Sequence, residues 1–359
     1  MALRSKTLLS KKEFEDVLRT AVSRRTPKYT EYVSLHVRWE DDKHAAREGE
    51  NFKELAKLLS FPPPKTCVLP SKEASFSLLS SSGEIMKKAV HSSKKVIFIL
   101  HYAGNSMKDG TGQYPVSPKN QSVVHRVHVK SILRRLLDDI FAPFNVPVDI
   151  LIILDCCLGF SATREPGSAS RVVGVLGAGE REDLSGRGQS LSLQLLTEVQ
   201  NRVQRGDETV EIADLMDTLQ QKLPLDKRPV YAPSIGLGSI ILPLNRIDVD
   251  KTSFNSEAKN HAQAPASPSR ISLSSLVRST FSLQVSNDIN GVELENLFEW
   301  ISALPRNKDL VLRLENAKPM RNSFLFIFES SRLVFLRLAG LPGVARLCEH
   351  DPSESSWIV

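Results

Sequence analysis

The order of apolar and polar positions divides the first part of the chain into short strands separated by helices. Residues 31–39, EYVSLHVRW, are rich in β-branched and aromatic side chains, which predicts a first strand. In residues 47–61 the apolar side chains recur at helical spacing, which predicts an amphipathic helix. A short second strand follows at residues 66–70 and ends at a proline.

Longer apolar runs predict the centre of a parallel sheet. Residues 94–104 and 148–157 are almost continuously apolar, as expected for strands covered on both faces. Residues 170–179 predict a third such strand, and residues 238–244 a last one, with two helices between them. A further helix is predicted over residues 123–141. Because strands alternate with helices, we expect an α/β fold with a mostly parallel sheet.

The pattern changes at both ends of this region. Ser10 and Glu13 form a capping box at the start of an N-terminal amphipathic helix, which we expect to dock on the main domain. A mitochondrial presequence is a weaker alternative, because the acidic side chains of this helix are unfavourable in one. A polar segment rich in Ser, Ala and Pro has the composition of a linker, and a small α+β unit follows it. We therefore divide the chain into an N-terminal helical extension, a main domain, a linker and a C-terminal unit, at residues 1–30, 31–245, 246–278 and 279–359.

Composition removes several classes of function. The 359 residues carry a formal net charge of +6, but Lys and Arg are dispersed and no nucleic-acid-binding spacing occurs, so we expect no nucleic-acid partner. No apolar run approaches the roughly 20 residues that span a bilayer, so no membrane association is expected. Four cysteines do not make a disulfide framework in a chain of this length, which indicates a reducing, cytoplasmic setting. A nucleotide-dependent enzyme ranks last, because the sequence has no phosphate-binding loop.

Two strand ends carry the candidate chemistry. The segments ILHYAGNS, residues 99–106, and ILDCCLGF, residues 153–160, each run from an apolar strand into small residues. Sites in open parallel sheets collect beyond the carboxyl ends of the strands. A cysteine at one end and a histidine at the other would suit a thiol hydrolase, because a thiol needs a base or cation nearby to form the thiolate.

These segments resemble the caspase-like proteins of fungi, relatives of metacaspases in the caspase–hemoglobinase fold. The resemblance covers residues 31–350 and is strongest in DILIILDCCLGFSA, with support from FILHYAGNS, RVVGVLGAGERED and FEWISALP. It implies a caspase-like three-layer sandwich with a mostly parallel sheet, followed by a small C-terminal α+β unit.

The resemblance also implies roles for single residues. Cys157 would be the nucleophile, Asp155 would bind the substrate by helping to form a basic-selective pocket, and the Gly104 N–H would bind the oxyanion. The catalytic histidine is expected directly after Gly104, where this chain has Asn105. An amide cannot accept a proton at neutral pH, so the departure concerns the residue that the chemistry most needs.

Substitute bases are few. His101 lies in the strand four residues before Asn105, so we expect a structural histidine there and regard it as an unlikely base. His125 and His128 in the next predicted helix are weaker alternatives. Of the two cysteines Cys156 and Cys157, we expect one to pack into the core.

No metal site or cofactor is predicted from the residues. Calcium enters by the resemblance alone, and we interpret the acidic stretch at residues 40–42 as a solvated loop, because calcium needs six to eight oxygen ligands.

The leading hypothesis is a catalytically impaired caspase-like protein, a pseudoenzyme that acts by binding or scaffolding a protein or peptide. The alternative is an active metacaspase-like cysteine endopeptidase with Cys157 as nucleophile and a preference for Arg or Lys at P1. Neither hypothesis identifies the partner, the oligomeric state or the role of the C-terminal unit.

Overall fold

The structure is a computed structural model of the full chain. It describes residues 8–23, 29–42, 44–70, 72–90, 95–106, 116–117, 148–157, 171–178, 190–223, 228–236, 238–245, 277–286, 291–304 and 310–350. The helix predicted at residues 123–141 and nearly all of the predicted linker lie outside these residues.

A six-stranded sheet forms the centre of the main domain. Its first five strands are parallel and the sixth is antiparallel to its neighbour. In spatial order they are β2 (Lys65–Leu69), β1 (Glu31–Trp39), β3 (Val96–Ala103), β6 (Val148–Cys157), β7 (Val173–Ala178) and β9 (Val230–Ile235). Every residue of β3 is buried, as its continuous apolar sequence predicts for a central strand. The predicted α/β fold with a mostly parallel sheet is confirmed.

Helices cover both faces of this sheet and make three layers. One face packs against α3 (Ala74–Val90). The other packs against α2 (His44–Leu58), α4 (Leu191–Gln204) and α5 (Ile212–Lys222). Each face has its own cluster of buried apolar side chains, so burial of apolar surface holds the sheet from both sides.

The strand predicted at residues 238–244 is present in part, but it lies outside the main sheet. Residues Ile241–Pro243 form β10, which pairs antiparallel with β8 (Thr209–Glu211) in a separate two-stranded sheet. The edge of the main sheet is β9, which precedes β10 in the chain. Alternation of side chains predicts that a segment is a strand, but it does not choose the pairing partner.

The C-terminal unit is a four-stranded antiparallel sheet with helices on one face. Along the chain it runs β11 (Arg278–Ser286), α6 (Gly291–Ser302), β12 (Leu312–Met320), β13 (Ser323–Ser331), α7 (Arg332–Leu338) and β14 (Val344–His350). Its spatial order is β12–β13–β11–β14. This succession is that of the ferredoxin-like split βαβ motif. The closing apolar segment near residue 335 is a helix, and the strand after it was not predicted.

The N-terminal helix belongs to the core of this C-terminal unit. Helix α1 (Lys11–Val22) has the predicted capping box at Ser10 and Glu13. Its buried side chains join the cluster formed by β11, β13 and α7, and the ring of Phe14 lies 5.1 Å from that of Phe326. The expectation that it docks on the main domain is therefore wrong: an amphipathic face shows that a helix needs a partner and leaves the partner open.

Helix α7 joins the two units. Leu336 packs in a core cluster of the main domain, while Val334 and Phe335 pack in that of the C-terminal unit. Two buried arginines flank the contact. Arg332 pairs with Asp217 of α5 at 3.3 Å, and Arg337 donates two hydrogen bonds to the Glu211 carboxylate, at 2.6 and 2.5 Å.

Among the residues that the structure describes, no helix is long and apolar enough to cross a bilayer.

Candidate functional site

The two motif-bearing strands are neighbours, and their carboxyl ends meet at one edge of the sheet. Strand β3 pairs in parallel with β6, and Ala103 lies opposite Asp155. After Gly104 the chain forms β4 (Asn105–Ser106), which pairs with β5 (Val116–Ser117) and lies beside β6. The backbone of Asn105 is thus brought to the strand end that carries Cys157. The side chains of Asn105 and Cys157 lie outside what the structure describes.

Strand β6 leaves regular pairing just before Cys157. Leu154 lies opposite Gly177 and Cys157 opposite Ala178, so the two intervening residues have no counterpart in β7. Cys156 is buried in the core cluster beneath α3. This agrees with the expectation that one cysteine of the pair packs inside. The nucleophile assignment of Cys157 stays a prediction.

His101 is a closed, structural histidine. Its side chain is fully buried, and its Nδ1 lies 3.0 Å from Nδ1 of His36 on β1. Its ring also stacks on Phe52 of α2, with centroids 4.4 Å apart. His101 pairs with Ile153, which precedes Cys157 by four residues, so it lies about 13 Å back along the strand. A base for Cys157 needs hydrogen-bond reach, and this backbone separation does not offer it.

Asp155 is buried two residues further along the sheet than His101. Its Oδ1 accepts a hydrogen bond from the Leu191 backbone N–H at 2.8 Å, and its Oδ2 accepts one from the Ser192 N–H at 3.0 Å. The same Oδ2 lies 3.8 Å from His101 Nε2, an ion-pair distance longer than a hydrogen bond. The side chain is 1% exposed. The substrate-binding role that the resemblance implies for Asp155 stays a prediction.

Burial and neighbouring charges shift the acidity of this cluster. Burial, reinforced by His101 and Arg38 and opposed by Asp155, lowers the pKa of His36 to about 3. Burial acts to raise the pKa of the Asp155 carboxyl, but the adjacent His101 imidazole and the hydrogen bonds from Ser192 outweigh it, and the pKa lies below its usual value. The cluster therefore combines a neutral His36 with an ionised Asp155 at neutral pH.

Gly104 lies at a backbone position that requires glycine. Its φ is +149°, and a Cβ added there would lie 2.5 Å from the Tyr102 hydroxyl oxygen and 3.4 Å from Asp42 Oδ2. Trp39 Nε1 donates to that hydroxyl at 3.1 Å. Burial raises the pKa of Tyr102 well above its usual value, so the phenol stays neutral. These side chains support the turn into β4; the oxyanion role of the Gly104 N–H stays a prediction.

The three acidic residues after β1 differ in their exposure to solvent. Glu40 and Asp41 are exposed, whereas Asp42 is buried and its Oδ1 accepts a hydrogen bond from the Ala45 N–H at 3.2 Å, at the start of α2. Within the described part of the chain, no group of three or more His, Cys, Asp or Glu side chains is arranged to hold a metal ion. The alternative bases His125 and His128 lie outside the described residues.

Three residues of the cluster around Asp155 were not predicted from the sequence: His36, Ser192 and Glu48. His36 faces His101 across two parallel strands, because His36 and His101 pair in register. Ser192 donates from its hydroxyl to Glu48 Oε2 at 3.2 Å, which links α4 to α2. The one signal in the sequence was a histidine inside the apolar run of β1, on the face opposite Leu35 and Val37.

Comparisons with known proteins give likenesses of structure only. No family model matches the sequence, and no curated protein matches it. The chain is similar to the Drosophila initiator caspase Dronc, with 15% identity, a TM-score of 0.36, and coverage of 56% of this chain and 78% of that one. It is also similar to caspase-1 from Spodoptera frugiperda, with 12% identity, a TM-score of 0.37, and coverage of 60% and 93%. A third similar structure, a protein from Geobacter sulfurreducens, has 13% identity, a TM-score of 0.37, and coverage of 57% and 94%. These likenesses carry no function over to this chain.

Proposed function

We propose that this chain is a caspase-like protein that lacks an efficient catalytic base and acts by binding a protein or peptide. The observation that carries the proposal is the placement of His101 and Asn105. The first is buried and held by His36, and the second begins the element beside the end of β6. The sequence motifs supply the caspase-like part of the proposal.

The chemistry explains why this placement matters. An unassisted thiol has a pKa near 8.5, so only a few per cent is thiolate at neutral pH. In a serine protease, losing one member of the catalytic triad lowers turnover by a factor on the order of 10⁴. A Cys157 without a facing imidazole would keep the shape of a peptide-binding edge and little of the activity.

A peptidase assay tests this proposal. Purified protein is incubated with fluorogenic peptides that carry Arg, Lys or Asp at P1, with and without calcium. We expect no cleavage that depends on Cys157. Cleavage by the wild type that Cys157→Ala abolishes would establish the endopeptidase alternative instead.

A gain-of-function variant sharpens the test. Asn105→His restores an imidazole at the expected position, and we expect faster alkylation of Cys157 by iodoacetamide at pH 7. Both proteins should carry Cys348→Ala, because Cys348 is an exposed free thiol that would react in the background. Equal rates with and without Asn105→His would contradict the assignment of Asn105 to the position of the base.

A further inference from the structure

The carboxylate of Asp155 completes the N-terminal capping of helix α4. The helix begins after Ser190, whose side chain accepts a hydrogen bond from the Leu193 N–H at 3.3 Å. The N–H groups of Leu191 and Ser192 have no partner within the helix, and both donate to Asp155. A strand of the sheet thereby supplies the anion that the start of a helix favours.

The same carboxylate is the centre of a buried polar chain. On one side, Oδ2 faces His101, which in turn contacts His36, so β6, β3 and β1 are joined. On the other side, the Ser192 hydroxyl donates to Glu48, which joins α4 to α2. Five elements of the main domain thus meet through one side chain that lies two residues before Cys157.

This arrangement leaves little for a ligand to bind. Asp155 is 1% exposed, and each of its oxygens already accepts a backbone hydrogen bond. Each oxygen keeps a further lone pair, but a guanidinium or ammonium group from a peptide could reach it only if the packing over this buried side chain opened. The lowered pKa of Asp155 agrees with a carboxylate that is already fully stabilised from within.

We infer that Asp155 is a positioning residue that fixes the start of α4 and the His101–His36 pair beneath the end of β6, and that it does not select basic side chains in a bound peptide. The positioning role stands on the contacts alone. The statement about peptides rests on the proposed function, because it concerns what the strand ends accept.

The main experiment compares Asp155→Asn with a matched control on the same strand, Asp149→Asn. Asp149 is also buried and accepts a backbone hydrogen bond, from the Val172 N–H at 2.7 Å. In Asp155→Asn we expect amide hydrogen exchange at Leu191 and Ser192 to become roughly tenfold faster, the effect of one lost N-terminal cap. The ring ¹⁵N signals of His101 should also shift. Asp149→Asn should leave both readouts unchanged.

Peptide selectivity is measured on the same proteins. A tripeptide amide ending in Arg and its counterpart ending in Gln are titrated into wild type and Asp155→Asn, followed by NMR. We expect the ratio of the two affinities to be the same in both proteins. A failure of both peptides to bind would count against the proposed function, and the exchange rates at Leu191 and Ser192 would then decide the positioning role of Asp155. A tenfold loss confined to the Arg peptide, with exchange at Leu191 and Ser192 unchanged, would overturn it.

The wild type alone decides the question if Asp155→Asn does not fold. The ¹³Cγ signal of Asp155 should titrate below the usual range of a carboxyl and should not respond to the Arg peptide. A shift of that signal on addition of the Arg peptide would refute the inference. None of these readouts depends on cleavage, so they fail or succeed independently of the proposed lack of a catalytic base.

Discussion

Acidification should destabilise the fold through His36, because this histidine is buried in its neutral form. The residue is 4% exposed, and its Nδ1 lies 3.0 Å from that of His101. The pKa is about 3 in the folded protein, against 6.5 for an unperturbed histidine. Below pH 6.5 the unfolded chain binds a proton at His36 that the folded chain does not bind. The contribution of His36 to the free energy of unfolding is therefore fully present above pH 6.5 and is lost as the pH falls towards 3.

The magnitude follows from the width of this pH window. Each unit of difference in pKa corresponds to about 1.4 kcal/mol between the two protonation states. At pH 5 the solution is one and a half pH units below the pKa of His36 in the unfolded chain. Protonation of the unfolded chain at His36 alone should therefore remove about 2 kcal/mol of the free energy of unfolding. This is a large part of the roughly 5–15 kcal/mol that stabilises an ordinary domain.

Urea unfolding of wild type and His36→Asn at pH 7, 6 and 5 measures this contribution. The asparagine keeps a polar atom near the position of Nδ1 but does not titrate. We expect the stability difference between the two proteins to narrow by about 2 kcal/mol between pH 7 and 5. Burial raises the pKa of Asp217 to about 6, which opposes the trend, but Asp217 is present in both proteins and cancels in the difference.

Parallel pH profiles for the two proteins would refute this reasoning. They would mean that His36 takes up its proton equally in the folded and unfolded chains. A direct titration of the His36 ring by NMR provides the independent check. A midpoint near 6.5 in the folded protein would contradict the burial argument.

Four further substitutions test the packing, and the last of them serves as a control. Gly49→Ala places a Cβ 2.7 Å from His36 Nε2, so we expect urea unfolding to show a lower free energy of unfolding. The clash should outweigh the higher helix propensity of alanine, which favours it over glycine by about 1 kcal/mol. In a His36→Ala background the loss of stability should disappear. Gly104→Ala should lower the melting temperature in calorimetry, because φ is +149° and the added Cβ would lie 2.5 Å from the Tyr102 hydroxyl oxygen. An unchanged melting temperature would contradict the requirement for glycine at this position. Arg337→Ala should cost about 1–3 kcal/mol, because it removes a buried guanidinium and leaves the partly buried Glu211 carboxylate without that partner. Arg346→Ala, which removes an exposed ion pair, should cost about 0–1 kcal/mol, and equal losses for the two arginines would contradict the role of α7 at the junction.

Much of the secondary structure was predictable from local patterns. The continuous apolar runs of β3 and β6 and the capping box at Ser10 depend on residues close in sequence, and the structure confirms all three. The strand after α7 was missed, because VARLCEH is largely exposed at the sheet edge and does not alternate cleanly. The placement of β10 outside the main sheet was missed because pairing is a long-range choice.

The sequence alone determined that two buried strands each run into small residues and that an amide stands where the resemblance expects an imidazole. Those facts are local, since they depend on residue type and spacing. Only the tertiary structure decided that His101 points to His36, that Asp155 caps a helix beginning thirty-six residues later, and that α1 packs with the C-terminal unit. Each of these contacts joins segments far apart in the chain. The side chains concerned would satisfy the same local pattern with many partners, and the packing of strands and helices around them selects one.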